Sequence, residues 1–325
     1  MRILVVKLSS FGDILHVLPT VQALKEQTGA SIDWIVHPEF ASLVRCFADV
    51  DRVLTFPRRH VWREAGASIK VLRETEYDLV VDLHGLFKSG IVAHFARAKR
   101  KIAPSYAREC SSIFFGERAG RMNRTRHAVE QAMDTLDYLH LKRPEGVFKA
   151  HLHPVSVSIP DGAPLIAFAP VSRWVTKNWP AGRFGEVAKA FAVSHPKAAI
   201  LVLGGKGDHA VGEQIAAVAP GVVHNLCGKT SIPESLAILS KCDLLVANDT
   251  GPVHMAAAVG TRCLVVFGPT RPDWTGPYGP GHRVIMRHLP CQPCLKRQCK
   301  RGDLACLMQI TSGEVHQAAC EMLGE

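Results

Sequence analysis

Short apolar runs recur along the first half of the chain at 3–6, 32–36, 53–56 and 79–81, with stretches of helical periodicity between them. Runs of this length read as buried strands, and their alternation with helical patterns reads as parallel βαβ units. A helix over 127–141, with Val129, Met133, Leu136 and Leu139 on one face, closes the set. The stretch 151–164 is rich in proline and poor in helix signals, as an interdomain linker is. Beyond it the alternation restarts at 165–169, 200–203, 244–247 and 263–267. The pattern predicts an α/β protein of two doubly wound domains with a cleft between them.

Length agrees, because 325 residues exceed what one hydrophobic core usually serves. The 47% apolar and 21% charged content is that of a soluble globular chain. No apolar run reaches the roughly 18 residues of a membrane span, and the N-terminal run is too short for a signal peptide, so a cytosolic protein is expected. The net charge of +10 points to an anionic partner: nucleic acid, a membrane surface or a phosphorylated small molecule. The densest basic segment, 97–126, holds nine Lys and Arg against two acids, and a solvated face is its plain alternative reading.

In open α/β sheets ligands collect at the carboxyl ends of the strands, so the loops there are the places to look. After the first run comes Lys7-Leu8-Ser9-Ser10-Phe11-Gly12-Asp13. Asp13 at a helix start reads equally as a general base and as a helix cap. After the third and fourth runs come Arg58, Arg59 and Arg63, then Asp82-Leu83-His84-Gly85-Leu86-Phe87-Lys88. Together with Lys7 these cations suit a substrate bearing several carboxylates or phosphates, or are clustered by chance on a basic protein.

In the second half, Ser172-Arg173-Trp174-Val175-Thr176-Lys177-Asn178-Trp179-Pro180 follows a strand, with Lys177 placed for a phosphate or simply on the surface. The sharpest signal is Asn248-Asp249-Thr250-Gly251-Pro252-Val253-His254. Thr250 and Gly251 precede a helix opened by Pro252, a start whose N–H groups and dipole attract a diphosphate, and Asp249 is placed to accept from sugar hydroxyls. Gly204-Gly205-Lys206-Gly207 fits neither the dinucleotide fingerprint nor the phosphate-loop spacing, which argues against a nicotinamide enzyme or an NTPase.

Taken in order, KLSSFGDILHVLP, VDLHGLFKSG, SRWVTKNWP, CGKTSIPES and NDTGPVHMAAA resemble the ADP-heptose:lipopolysaccharide heptosyltransferases, glycosyltransferase family 9, and among them heptosyltransferase I. The resemblance implies a GT-B fold: an acceptor-binding Rossmann-like domain over 1–155, a nucleotide-sugar-binding one over 156–312, and a helix over 313–325 returning toward the first domain. It implies that Asp13 is the catalytic base of an inverting, metal-independent transfer and that Lys177 binds the leaving diphosphate. Ser172, Arg173, Thr230, Asp249, Thr250, Gly251 and His254 fall at donor positions. Lys7, Arg58, Arg59, Arg63, Lys88 and Arg108 fall on the acceptor side. Implied partners are ADP-heptose, a Kdo-lipid A acceptor and the cytosolic face of the inner membrane, met peripherally, with no nucleic acid. The alternatives are the same fold and donor class with another acceptor, a heptosylated core, another glycan or a protein, and, from another class, a basic metal-containing nucleic-acid-binding protein.

Ten cysteines without an export signal read as thiols or metal ligands rather than disulfides. Cys46, Cys110, Cys227, Cys242, Cys263 and Cys320 are scattered and read mainly as buried thiols. Cys291, Cys294, Cys299 and Cys306 have C-x2-C-x4-C-x6-C spacing, which suits a structural zinc or iron site, or four reduced thiols.

Overall fold

A computed structural model describes residues 1–58, 61–123 and 125–324, apart from the side chains of 61–65. The chain divides into two compact units, Met1–His153 and Pro154–Glu325. The first carries six strands: β1 (Arg2–Val6), β2 (Ser31–Val36), β3 (Arg52–Thr55), β4 (Glu76–Asp82), β5 (Arg97–Pro104) and β6 (Glu117–Ala119). The second carries β7 (Leu165–Ala169), β8 (Ala199–Val202), β9 (Val223–Asn225), β10 (Leu244–Asn248), β11 (Arg262–Val266) and β12 (Arg283–Ile285).

Each unit is a wholly parallel sheet, ordered β3-β2-β1-β4-β5-β6 in the first and β12-β11-β10-β7-β8-β9 in the second. Counted from its own first strand, each has the same order, so strand order reverses beside β1 in one and beside β7 in the other. These two switch points fix where the loops of each unit part and leave room for a ligand. The central strands are buried on both faces, which is why they read as continuous apolar runs.

Asp33, fully buried in β2, ties four neighbouring strands together. It accepts from Arg2 of β1 at 3.1 Å, from Arg52 of β3, and from the Tyr77 hydroxyl of β4 at 2.8 Å. Arg2, Arg52 and Tyr77 lie at the amino ends of their strands.

The predicted helix over 127–141 is present as Ala128–Tyr138 and buries Val129, Met133 and Leu136. Four strands gave no apolar run. β6, β9 and β12 have three residues each, and β5 lies inside the basic segment, with only its last three residues buried. Residues 151–153 of the expected linker are bound to the first unit by Ala48 N–H to the His151 carbonyl (2.7 Å) and His153 N–H to the Cys46 carbonyl (2.8 Å). The final helix, Ser312–Leu323, corrects an expectation. Its buried Val315, Ala318 and Ala319 join the core of the second unit beside Phe184 and Phe191, so hydrophobic burial makes it part of that unit. Of the scattered cysteines, Cys46, Cys227, Cys242 and Cys263 are buried. Cys110 is exposed, because it sits in the loop after β5 with a left-handed backbone, and Cys320 is half-buried.

Candidate active site

In the first unit the carboxyl ends of β1 to β5 bring together Lys7, Asp13, Asp82, His84, Lys88 and Arg108. Lys7 follows β1 directly and is only 7% exposed. Burial lowers its pKa, nearby Arg108 and Lys88 push the same way, and Asp13 and Asp82 oppose them. Asp13 stands in the first turn of the helix Phe11–His16, and its Oδ2 accepts from Ser10 N–H (3.0 Å) and from the Ser10 hydroxyl (2.6 Å). Capping and chemistry are therefore both available to it. Its Oδ1 has no hydrogen-bond partner among the described residues. Burial works to raise the Asp13 pKa, yet the Lys7 charge and the Ser10 hydrogen bonds prevail and hold it at about 2. The carboxylate is thus ionised at neutral pH, with one oxygen open to a substrate hydroxyl.

Asp82, at the end of β4, is fully buried, and burial pushes its pKa up to about 6 against the hydrogen bonds it accepts. Those bonds come from His84 N–H (2.8 Å), Gly85 N–H (3.2 Å) and the Ser89 hydroxyl (2.9 Å), and they fix the loop that presents His84 and Lys88. Lys88 is exposed; partial burial lowers its pKa, with Arg58 pushing the same way. Arg58 pairs at the surface with Glu39 (2.8 Å). Arg108 is exposed, and its N–H donates to the Gly85 carbonyl (2.9 Å). Arg59 lies outside the described residues, as does the side chain of Arg63, whose backbone is in the helix Val61–Glu74.

In the second unit the loops after β7, β10 and β11 meet. Asn248 ends β10 fully buried; its amide donates to the Pro170 carbonyl (2.5 Å) and accepts Trp179 N–H (3.1 Å), holding the loop after β7 at two points. Within that loop Lys177 Nζ lies 2.6 Å from Asp249 Oδ2 and 4.9 Å from the centre of the Trp174 ring. The same Asp249 oxygen accepts from Thr270 (2.6 Å), and Asp249 is 5% exposed. Asp249, expected to meet sugar hydroxyls, here holds Lys177 in place. Ser172 Oγ donates to the Asp249 carbonyl (3.0 Å), and Thr250 Oγ donates to the Val171 carbonyl (3.0 Å). Thr250 is the N-cap of the helix Gly251–Ala258 but makes no side-chain cap bond to it, and half-buried His254 stands in that helix's first turn.

Arg173 is exposed. Thr230 is on the loop after β9, with its hydroxyl 2.8 Å from that of Ser235. The residues missed in the sequence are Asp82, Asn248, Thr270 and Asn178, whose Oδ1 accepts Ser172 N–H (2.7 Å). Each is a polar group at or just beyond a strand or turn end, a signal available only once the ends are known.

Cys291, Cys294, Cys299 and Cys306 line one pocket together with Thr176, Lys296 and Arg301. Backbone N–H groups of Leu304, Arg301 and Gly302 lower the Cys299 pKa, while burial raises that of Cys306. Among the described residues no three His, Cys, Asp or Glu side chains are grouped so as to hold a metal ion.

Two doubly wound units, one with a lysine-carboxylate pair at its switch point and the other with a lysine beside a helix start, have the architecture of the GT-B glycosyltransferases, with which the chain superposes. The model of glycosyltransferase family 9 (heptosyltransferase) matches residues 66–305, and the chain belongs to that family. It is 31% identical to lipopolysaccharide heptosyltransferase 1 of Pseudomonas aeruginosa, with 92% of this chain and 87% of that protein covered. Against lipopolysaccharide heptosyltransferase 1 of Escherichia coli K12 the identity is 29%, with 87% and 93% covered. The structure of the E. coli heptosyltransferase WaaC with ADP superposes with a TM-score of 0.82 at 25% identity, over 99% of this chain and all of that one.

The Asp13 environment gives a pH prediction. A general base must be deprotonated, so with its pKa at about 2 Asp13 should leave no acidic limb near neutrality. Lys7→Met removes the charge that most opposes burial, so the Asp13 pKa rises and the acidic limb of kcat/KM should move to higher pH. A limb unmoved in a pH-rate profile of Lys7→Met would show that Lys7 does not tune Asp13.

Proposed function

We propose that this enzyme moves heptose from ADP-heptose to the Kdo sugars of lipid A, with inversion at the anomeric carbon. The observation that carries the reading is the ionised Asp13, one oxygen open, beside buried Lys7 on a cationic rim. The names of the relatives and the ADP-bound WaaC neighbour support the donor. The acceptor hydroxyl attacks the anomeric carbon, Asp13 takes its proton, and the bond to the diphosphate breaks with its electron pair on ADP. Lys177 and the start of the helix Gly251–Ala258 stabilise the charge that develops there. The cations around Asp13 suit carboxylates and phosphates on the acceptor.

The test is ADP release from ADP-heptose with Kdo-lipid A, with lipid A lacking Kdo, and with an already heptosylated core. Asp13→Asn should lose about 10²- to 10⁴-fold in turnover while still binding the donor, as expected for a general base. Lys177→Ala should lose about 10²-fold or more and also bind the donor more weakly. ADP release only with the heptosylated core would replace the acceptor, and full activity in Asp13→Asn would remove the assigned base.

The acceptor reading also places the first unit against a membrane. Among the described residues no helix is long and apolar enough to cross one, so contact is peripheral. Phe87 is 43% and Ile113 70% exposed, on the helix Phe87–Phe95 and the turn Ser111–Phe114. The Phe87 and Phe114 rings meet at 5.2 Å, over Gly90, where a Cβ would come within 2.3 Å of the Phe114 ring. Exposed Lys88 stands next to Phe87 on the same helix, and exposed Arg108 is on the loop that leads to the turn Ser111–Phe114. Apolar tips among cations suit an anionic bilayer surface. The protein should sediment with phosphatidylglycerol vesicles, less so at high salt and less so as Phe87→Ser/Ile113→Ser. Equal sedimentation of both proteins would move the contact elsewhere.

The cysteine pocket carries a separate proposal, a structural metal. Four thiols suit zinc or iron, although their positions do not form a closed ligand set, and no catalytic step depends on it. Purified protein should carry about one zinc or iron per chain, reduced by Cys294→Ser. Metal-free protein with four titratable thiols there would show the cluster to be reduced cysteines.

A further inference from the structure

His84 has no role in the chemistry above, yet it lies in the middle of that site. Its backbone is fixed: Asp82 accepts its N–H at 2.8 Å, and the next residue, Gly85, has φ +73° and is so closely enclosed that a Cβ would stand 3.1 Å from Pro104 and from the Tyr106 ring. The side chain is different. Both ring nitrogens are buried, and neither has a hydrogen-bond partner among the described residues. Buried His37, on the neighbouring loop after β2, shows the usual arrangement at one nitrogen, with Nδ1 2.9 Å from the Phe56 carbonyl. Two orphaned polar atoms on one ring are costly to bury, and they point to a ligand that satisfies them.

The surroundings define that ligand. Burial first, then Lys7 and Lys88, push the His84 pKa down to about 3, with Asp13 opposing and His37 adding to the fall. At neutral pH the ring is therefore uncharged, with one nitrogen a donor and the other an acceptor. A hydroxyl group, which both donates and accepts, is its complement, whereas a carboxylate or phosphate is better matched by the lysines around it.

We propose that His84 is an acceptor-contacting residue: its neutral imidazole hydrogen-bonds a sugar hydroxyl of the acceptor next to the one that Asp13 deprotonates, and so sets which hydroxyl reaches the base. This rests on the reading of the first unit as the acceptor side. The ring selects for a polyhydroxylated sugar, while Lys7, Lys88 and Arg108 take its anionic groups. Losing it leaves donor binding untouched and loosens the acceptor's register.

Steady-state kinetics of the full chain, with ADP-heptose and Kdo-lipid A varied in turn, test this. His84→Leu fills the space but has no polar atom, and His84→Gln keeps a donor and an acceptor. The acceptor KM should rise about tenfold or more in His84→Leu, with the donor KM within about twofold, and His84→Gln should stay within about threefold of wild type. The shape of the kcat/KM pH profile should be unchanged in His84→Leu, because a neutral ring that only hydrogen-bonds takes up no proton. Equal values for the Leu and Gln variants, or a donor KM that rises with the acceptor KM, would overturn the proposal. Asp13→Asn run alongside separates the failures. If it is inactive while His84→Leu behaves as wild type, only the inference about His84 is lost; if it is active, the site reading itself falls.

Discussion

The hydrogen-bonding demand of one buried polar side chain shapes the site in each unit. Asp82 ends β4, Asn248 ends β10, and both are fully buried beside the strand where the sheet order reverses. A carboxylate only accepts, so Asp82 collects N–H and O–H donors from its own loop and curls that loop over itself. A carboxamide both donates and accepts, so Asn248 bridges a carbonyl and an N–H on the neighbouring loop, at Pro170 and Trp179. One arrangement presents side chains outward on a short loop. The other clamps a longer loop at both ends, so that the turn Val175–Lys177 between them is held over Asp249.

Both units also set a lysine against a carboxylate, with the roles exchanged. In the proposed mechanism Lys7 supports Asp13, the base, and Asp249 supports Lys177, which meets the leaving diphosphate. A carboxylate held at about 2 is a weak base, and it does not take a proton from a resting sugar hydroxyl. In the proposed mechanism proton transfer therefore comes late, after the new C–O bond has begun to form and the oxygen has grown acidic, and stabilisation of the leaving diphosphate is the work assigned to Lys177 and the helix start.

The fold was legible wherever burial was two-sided. β1, β2, β4, β7, β8, β10 and β11 announce themselves as apolar runs because both their faces are buried, and β3 shows such a run although it is an edge strand with no buried residue. β5 does not, because at its exposed end charge replaces apolar side chains, and three-residue edge strands are too short to show any period. Family motifs brought Asp13, Lys7, Lys177 and Thr250 forward, since a loop beyond a strand can be read by position. The supporting groups Asn248 and Thr270 were not legible, because their partners lie on other loops, 78 residues away for Asn248 and Pro170; Asp82 bonds within its own loop, and only its burial at the end of β4 marks it as a support. His84 stood in a quoted motif without a role, and only the absence of partners for its ring distinguishes it from an ordinary buried histidine. The last helix was assigned by resemblance, and its apolar face shows instead which core it completes.

The basic segment shows why net charge alone is a poor guide to a binding surface. Within 97–126, Lys99 pairs with Asp78 (2.7 Å), Arg100 with Glu117 (2.5 Å) and Arg126 with Asp134 (2.7 Å), while Lys101 and Arg118 donate to the carbonyls of His94 and Ser105. Pairs of this kind contribute little to stability when exposed, but they cancel the field a passing anion would feel beyond the screening length. Arg97, Arg108 and Arg121 are exposed with no ion pair among the described residues. Of these, Arg108 is joined through its N–H to the loop that carries His84 and Lys88. The charge that can act on a ligand is therefore much smaller than the composition suggests, and part of it, on Arg108, lies near Lys7 in the candidate site. On the proposed reading, that residual field favours the anionic groups of an acceptor at the cations around Lys7 over the paired basic surface.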